Sequence, residues 1–200
     1  MISLAILAGG LSSRMGFNKA LIPWQGRPLI EHILHKVKVL SDDLFIVTKE
    51  PQNFNFTRVK VVEDILPRHS SLVGIYSALK AARYQHCLIV ACDMPFINLD
   101  LLRYLAALAP YYDVVMPLLK RGPEPLHAVY SKNCLGPIEK LLAEEEDKIL
   151  LFLPEVKVRY VEEEIIRLFD PELASFMNVN TPEELEEARK KEERRWQLSR

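Results

Sequence analysis

Neither sign of charge is in excess in this chain: 26 lysines and arginines stand against 27 aspartates and glutamates, for a net charge of −1. A protein whose main work is gripping phosphate backbones carries a basic surplus, so nucleic-acid binding is excluded as the principal activity, though a local basic pocket is not. No apolar run approaches the ~20 residues that a bilayer-crossing helix needs, so no membrane association is expected. The first eight residues are mostly apolar but lack a basic leader, and Gly9-Gly10 interrupts them too early for a secretory signal. Cysteine is scarce: Cys87, Cys92 and Cys134 are odd in number and form no Cys-x-x-Cys pair. That argues against a disulfide framework or a structural zinc site and fits a reducing cytoplasm. His32 and His35 would share a helical face, but no third ligand lies near them in sequence, so they read as helix surface. With no repeat, low-complexity stretch or linker, the expectation is one domain over 1–200.

What is present is alternation. Short β-branched runs alternate with helical patterns, the signature of an α/β fold with a mainly parallel, Rossmann-like sheet covered on both faces. The spacing predicts strands over 3–7, 44–48, 58–63, 86–92, 113–116, 126–130, 156–161 and 176–179. Of these, 58–63 is short and expected near an edge, whereas 86–92 is apolar on both faces, as a central strand must be. Helices are predicted over 27–40, 72–83, 99–109 and 134–145. A last helix follows Thr181, a good N-cap, with Pro182 at its first position. The run Glu162-Glu163-Glu164 reads as solvated surface.

The first strand runs directly into Leu7-Ala8-Gly9-Gly10-Leu11-Ser12-Ser13-Arg14-Met15-Gly16, with Lys19 three residues on. Parallel α/β sheets bind ligands beyond the carboxyl ends of their strands, and this loop starts at such an end. Glycines let the backbone approach a ligand and expose successive N–H groups, which suit phosphate oxygens. Arg14 and Lys19 add two cations, and the combination predicts a triphosphate cradle. The spacing matches neither a Walker A loop nor a dinucleotide-binding GxGxxG. A tight strand-to-helix turn is the plainer alternative.

Asp93 leaves the carboxyl end of the expected central strand, and Pro95 ends that strand. A carboxylate there points into the ligand crevice, where Mg²⁺ on a triphosphate would neutralise it. The competing role, capping the next helix, suits Asn98 better. Asp64 also ends a strand, and a simple turn residue is its alternative reading. Asn178 and Asn180, two apart, would share one face of a strand and could meet a phosphate without adding charge; a strand end plus helix cap is their alternative.

The stretch from Leu7 to Lys19, followed by Gly26-Arg27-Pro28-Leu29-Ile30, resembles the opening of the molybdenum cofactor guanylyltransferases. These belong to the nucleotidyltransferase group that includes sugar-nucleotide pyrophosphorylases and cytidylyltransferases. Glu124-Pro125-Leu126 and Asn178-Val179-Asn180-Thr181-Pro182 resemble later segments of the same family. The resemblance implies a three-layer α/β/α fold of the nucleotide-diphospho-sugar transferase type, with a nucleotide half over roughly 1–98 and an acceptor half over 99–200. It implies GMP transfer from GTP to molybdopterin with release of pyrophosphate, in the cytoplasm, with cofactor-delivery proteins as possible partners. It assigns catalysis to Lys19, Arg14 and Asp93, with Mg²⁺ on Asp93. Substrate contacts fall to Leu7, Ala8, Gly9, Gly10, Ser13, Lys19, Asp64, Asp93, Asn178 and Asn180. The chain departs from the family between Leu66 and Gly74, where an upstream glycine is missing; Arg68 and His69 are the side-chain donors expected to substitute. A related cytidylyltransferase or sugar-1-phosphate nucleotidylyltransferase is the nearest rival reading. Ala8-Gly9-Gly10 favours GTP over it, since relatives that use CTP more often read Ala-Ala-Gly. An inactive scaffold would have lost Lys19 or Asp93.

Overall fold

The computed structural model describes residues 1–9, 18–68 and 70–198. Strand β1 (Ser3–Leu7) enters the centre of the main sheet, and a 3-10 turn (Lys19–Leu21) leads to a hairpin of β2 (Pro23–Trp24) and β3 (Arg27–Pro28). Then follow α1 (Leu29–Val37), β4 (Leu44–Thr48), β5 (Lys60–Glu63), α2 (Ser71–Ala81), β6 (His86–Ala91) and α3 (Leu99–Leu108). The second half contains β7 (Val114–Leu119), β8 (Gly122–Pro123), β9 (His127–Ser131), α4 (Leu135–Ala143), β10 (Val158–Glu162), α5 (Glu163–Ile166) and α6 (Pro182–Leu198).

The main sheet has eight strands among the described residues, ordered β10-β7-β9-β6-β1-β4-β5 with β8 paired to β7. The pairs β1·β4, β1·β6, β4·β5 and β7·β10 are parallel, whereas β9 runs antiparallel to both its neighbours. Successive side chains on a strand point to opposite faces, and here both faces are dry. Leu4, Ile6, Leu88 and Val90 pack on one face against α1, α3 and α6. Ala5, Phe45, Cys87 and Ile89 pack on the other against α2 and α4. Helices thus cover both sides of a mainly parallel sheet, as the alternating pattern requires. No described helix is long and apolar enough to cross a membrane.

Three expectations need correction. The segment around 176–179 is not a strand. Leu173 at φ +53° turns the chain into a 3-10 turn (Ala174–Phe176), and residues 177–181 then cross the strand ends as a strap. Its composition suits a strand, but it crosses the sheet rather than extending an edge. Its Val179 N–H instead donates to the Asp93 carbonyl at 2.9 Å. The first helix begins at Leu29 rather than 27, because Gln25 (φ +49°) and Gly26 (φ +78°) form a tight hairpin turn that consumes Arg27 and Pro28. Glu163 is buried, not solvated: its carboxylate accepts the Lys120 N–H at 2.9 Å and pairs with Arg167 at 2.8 Å.

His127 on β9 is wholly buried, with no hydrogen-bond partner for either ring nitrogen among the described residues, and its ring lies 4.9 Å from that of Phe176. Burial pulls its pKa down to about 4, against a weak opposing pull from Asp170. The folded protein therefore refuses a proton that the unfolded chain accepts near pH 6.5. Stability from this group is present above that pH and lost as pH falls towards 4, by about 3 kcal/mol in all. Denaturant titrations at pH 7 and pH 4 should show His127→Phe losing less stability on acidification than the wild type; equal losses would mean that His127 takes up its proton without unfolding.

Candidate functional site: a cleft along the strand ends

Four strand ends lie in register and shape one cleft. The Cys92 N–H donates to the Leu7 carbonyl (3.1 Å), Ala8 N–H to Val47 (2.8 Å) and Asp64 N–H to Thr48 (2.9 Å). These bonds carry β6, β1, β4 and β5 just past their carboxyl ends together. The cleft has a volume of about 460 Å³; Leu7, Val47, Gly74 and Leu126 give it apolar walls, and Lys19, Lys49, Asp64, Asp93 and Asn178 bring polar groups. Gly9 lets Asp64 approach closely: a Cβ there would stand 3.1 Å from Asp64 Oδ2 and press the carboxylate aside. A larger cavity of about 540 Å³ lies between the β2–β3 hairpin and α6, but it collects no comparable set of groups from strand ends.

The polar centre is built on Lys19. Asn18 caps the 3-10 turn by accepting the Ala20 N–H at 3.0 Å, which fixes where the lysine starts. Its ammonium donates to Asp93 Oδ2 at 3.3 Å and to Asn180 Oδ1. The two charged side chains are only 19% and 16% exposed. Burial pushes the Asp93 carboxyl above the usual carboxylate range, and Lys19 beside it pulls the other way. Asn180 is held in turn by a capping box: Glu184 Oε2 accepts the N–H of Asn180 (2.6 Å) and of Thr181 (3.2 Å), while Thr181 Oγ1 accepts the Glu184 N–H (3.2 Å). Asn178 lines the cleft, and its Oδ1 is buried with no hydrogen-bond partner among the described residues.

The structure therefore gathers Leu7, Gly9, Lys19, Asp64, Asp93 and Asn178 around one cleft and joins Asn180 to it through Lys19. Ala8 is buried behind it. Gly10, Ser13, Arg14, Gly16 and His69 lie outside the described residues. Asn178 and Asn180 do not share a strand face; a strap, rather than a strand, brings them in. Arg68 does not substitute for the missing loop glycine, because its guanidinium faces Asp147 at 3.2 Å and the Leu142 carbonyl at 3.3 Å, towards the end of α4. Asn98 caps α3, accepting from Asp100 and Leu101 N–H, which leaves Asp93 free of that duty. Sequence reasoning missed Lys49, Ser70, Ser71 and Glu184. The Thr-x-x-Glu spacing of Thr181 and Glu184 was a readable sign of the last.

The MobA-like NTP transferase domain family matches residues 4–157. A probable molybdenum cofactor guanylyltransferase of Clostridium perfringens is 37% identical over 196 residues, covering 96% of this chain and 98% of its own. The chain belongs to the MobA-like NTP transferase family. A molybdenum cofactor guanylyltransferase of Desulfosudis oleivorans is 38% identical across 92% of both chains. The crystal structure of molybdopterin-guanine dinucleotide biosynthesis protein A from Archaeoglobus fulgidus superposes with a TM-score of 0.83 at 30% identity, covering 94% of this chain and 96% of that one. The fold is that of the nucleotide-diphospho-sugar transferases. As a MobA-like NTP transferase, the protein is a nucleotidyltransferase, and its cleft lies where such a sheet binds nucleotides.

Proposed function

We propose that the protein transfers GMP from GTP to molybdopterin, working in the cytoplasm with Mg²⁺. The observation that carries this reading is the Lys19–Asp93–Asn180 cluster at the end of the cleft, a cation and a carboxylate held together in a partly dry site. The names of the Clostridium and Desulfosudis relatives support guanylyl transfer in particular. The three free, buried thiols agree with a reducing compartment. In the reaction an oxygen of the acceptor's terminal phosphate attacks the α-phosphorus of GTP. The α-phosphorus bond to the bridging oxygen breaks, and pyrophosphate leaves with that electron pair. The acceptor phosphate is already ionised at neutral pH, so no side-chain nucleophile is required. Lys19 holds the triphosphate oxygens, Asn180 aims Lys19, and the apolar walls orient the nucleoside.

Asp93 and Asn178 fit Mg²⁺, since one carboxylate and an unpartnered buried amide oxygen are the hard donors that this ion prefers beside substrate phosphates and water. When bound, Mg²⁺ supplies charge neutralisation at the phosphate oxygens. A thermal-shift panel tests the nucleotide. GTP with Mg²⁺ at about 100 times its Kd should add roughly 2.7 kcal/mol, or about 5–10 °C for a chain of this length, and exceed CTP, UTP and ATP. A clear preference for CTP would overturn the guanylyl reading and leave the family intact.

A further inference from the structure

The cleft holds a second lysine that the reaction above does not use. Lys49 follows β4 directly and lines the cleft, half-buried. Lys19 is matched to a carboxylate, but Lys49 has no carboxylate within ion-pair distance among the described residues, and its ammonium rests on the Pro67 carbonyl. An ammonium carries three donors, so this contact leaves two for a ligand. Its place along the sheet says which part of a nucleotide it meets. The strands run β6, β1, β4, β5, with Asp93 past β6 and Lys49 past β4. At about 4.8 Å per strand, Lys49 stands roughly 10 Å from the charged cluster. On the far side of Asp93 the strap closes the cleft, with Val179 bonded to Asp93 and Asn178 in its wall. A triphosphate anchored at Lys19 and Asp93 has room for its nucleoside towards β4 and β5, over Val47 and Gly74.

We propose that Lys49 reads the O6 edge of the guanine base and is a specificity-determining residue of this enzyme. Guanine presents two acceptors there, O6 and N7, the pattern that lysine and arginine donors match, whereas adenine and cytosine turn an amino donor towards the same place. The ammonium can keep the Pro67 carbonyl and give O6 one of its two remaining donors. The assignment rests on the guanylyl reading above and names the side chain that enforces it.

The test measures binding of three triphosphates by competition: GTP, ITP, which keeps O6 but lacks the 2-amino group, and 2-aminopurine riboside triphosphate, which lacks O6. Lys49→Met should weaken GTP and ITP alike, by about 10-fold or more, as expected for a lost charge-assisted hydrogen bond, and leave the 2-aminopurine compound unchanged. Lys49→Gln, which keeps an N–H donor without the charge, should recover part of the preference for GTP. Equal weakening of all three ligands would make Lys49 a phosphate-facing charge and overturn the proposal, as would no weakening of any. Failure of the guanylyl reading appears in the wild type, as a preference for another nucleotide. Failure of the Lys49 assignment appears only in the variants.

Discussion

Asp93→Asn leaves a folded protein whose pyrophosphate release from GTP, Mg²⁺ and molybdopterin falls by about 10²–10⁴. The substitution keeps the side chain's shape and removes its charge; with Mg²⁺ held there as proposed, several kcal/mol of transition-state stabilisation would go with the metal. At about 1.4 kcal/mol per decade, this gives the stated range. The fold should tolerate the change well, because the buried carboxyl is already pushed above its ordinary range. Its main-chain duty, accepting the Val179 N–H, is untouched. GTP should still bind through Lys19 and the glycine loop. Circular dichroism confirms folding beside the assay; a folded variant with near wild-type turnover would reduce Asp93 to a turn residue.

Lys19→Ala should weaken GTP binding by about 10–150-fold, the worth of a hydrogen bond to a charged group. A solvated surface lysine would change stability by no more than about 0.5 kcal/mol and leave affinity alone, so calorimetric titration of GTP separates the roles. Equal affinities in wild type and variant would remove Lys19 from the site. A second signature comes from the carboxylate that Lys19 leaves behind. Without the cation that stands beside it among the described residues, Asp93 should titrate still higher. A carboxyl whose folded pKa lies above its unfolded value holds its proton better in the folded state, so the stability it contributes is lost as pH rises. Lys19→Ala should therefore lose more stability than the wild type between pH 4 and pH 7.

The parts of this protein that a reader could take from sequence are those decided locally. Strands β1 and β4 have the bounds that the pattern predicts, because Ser3–Leu7 and Leu44–Thr48 are compact apolar runs covered on both faces. The strand-end rule led to Asp93, Asp64 and Gly9, which line one cleft, since it needs only the end of each strand. The strap was not legible. Phe176-Met177-Asn178-Val179 has strand composition, and whether it pairs depends on a free sheet edge, which no local pattern reveals. Glu163 escaped for a similar reason: three consecutive glutamates suggest water, but the middle one caps a main-chain N–H contributed by Lys120, 43 positions away. Lys49 gave no signal, because a single lysine after a strand is commonplace until its neighbours across the sheet are known.

The contact between Lys19 and Asn180 spans 161 residues. A ribosome adding about 5–20 residues per second takes roughly 8–30 s to make the chain between them. For most of that interval, once Glu63 has been added, the strands β1, β4 and β5 that floor one end of the cleft have been made, while the strap and the helix that aims it have not. The emerging chain can thus shape a nucleotide cleft before it can orient the lysine within it. Activation of the site waits for the last stretch of synthesis, and a fragment cut short before the strap would keep the shelf and lack the clasp.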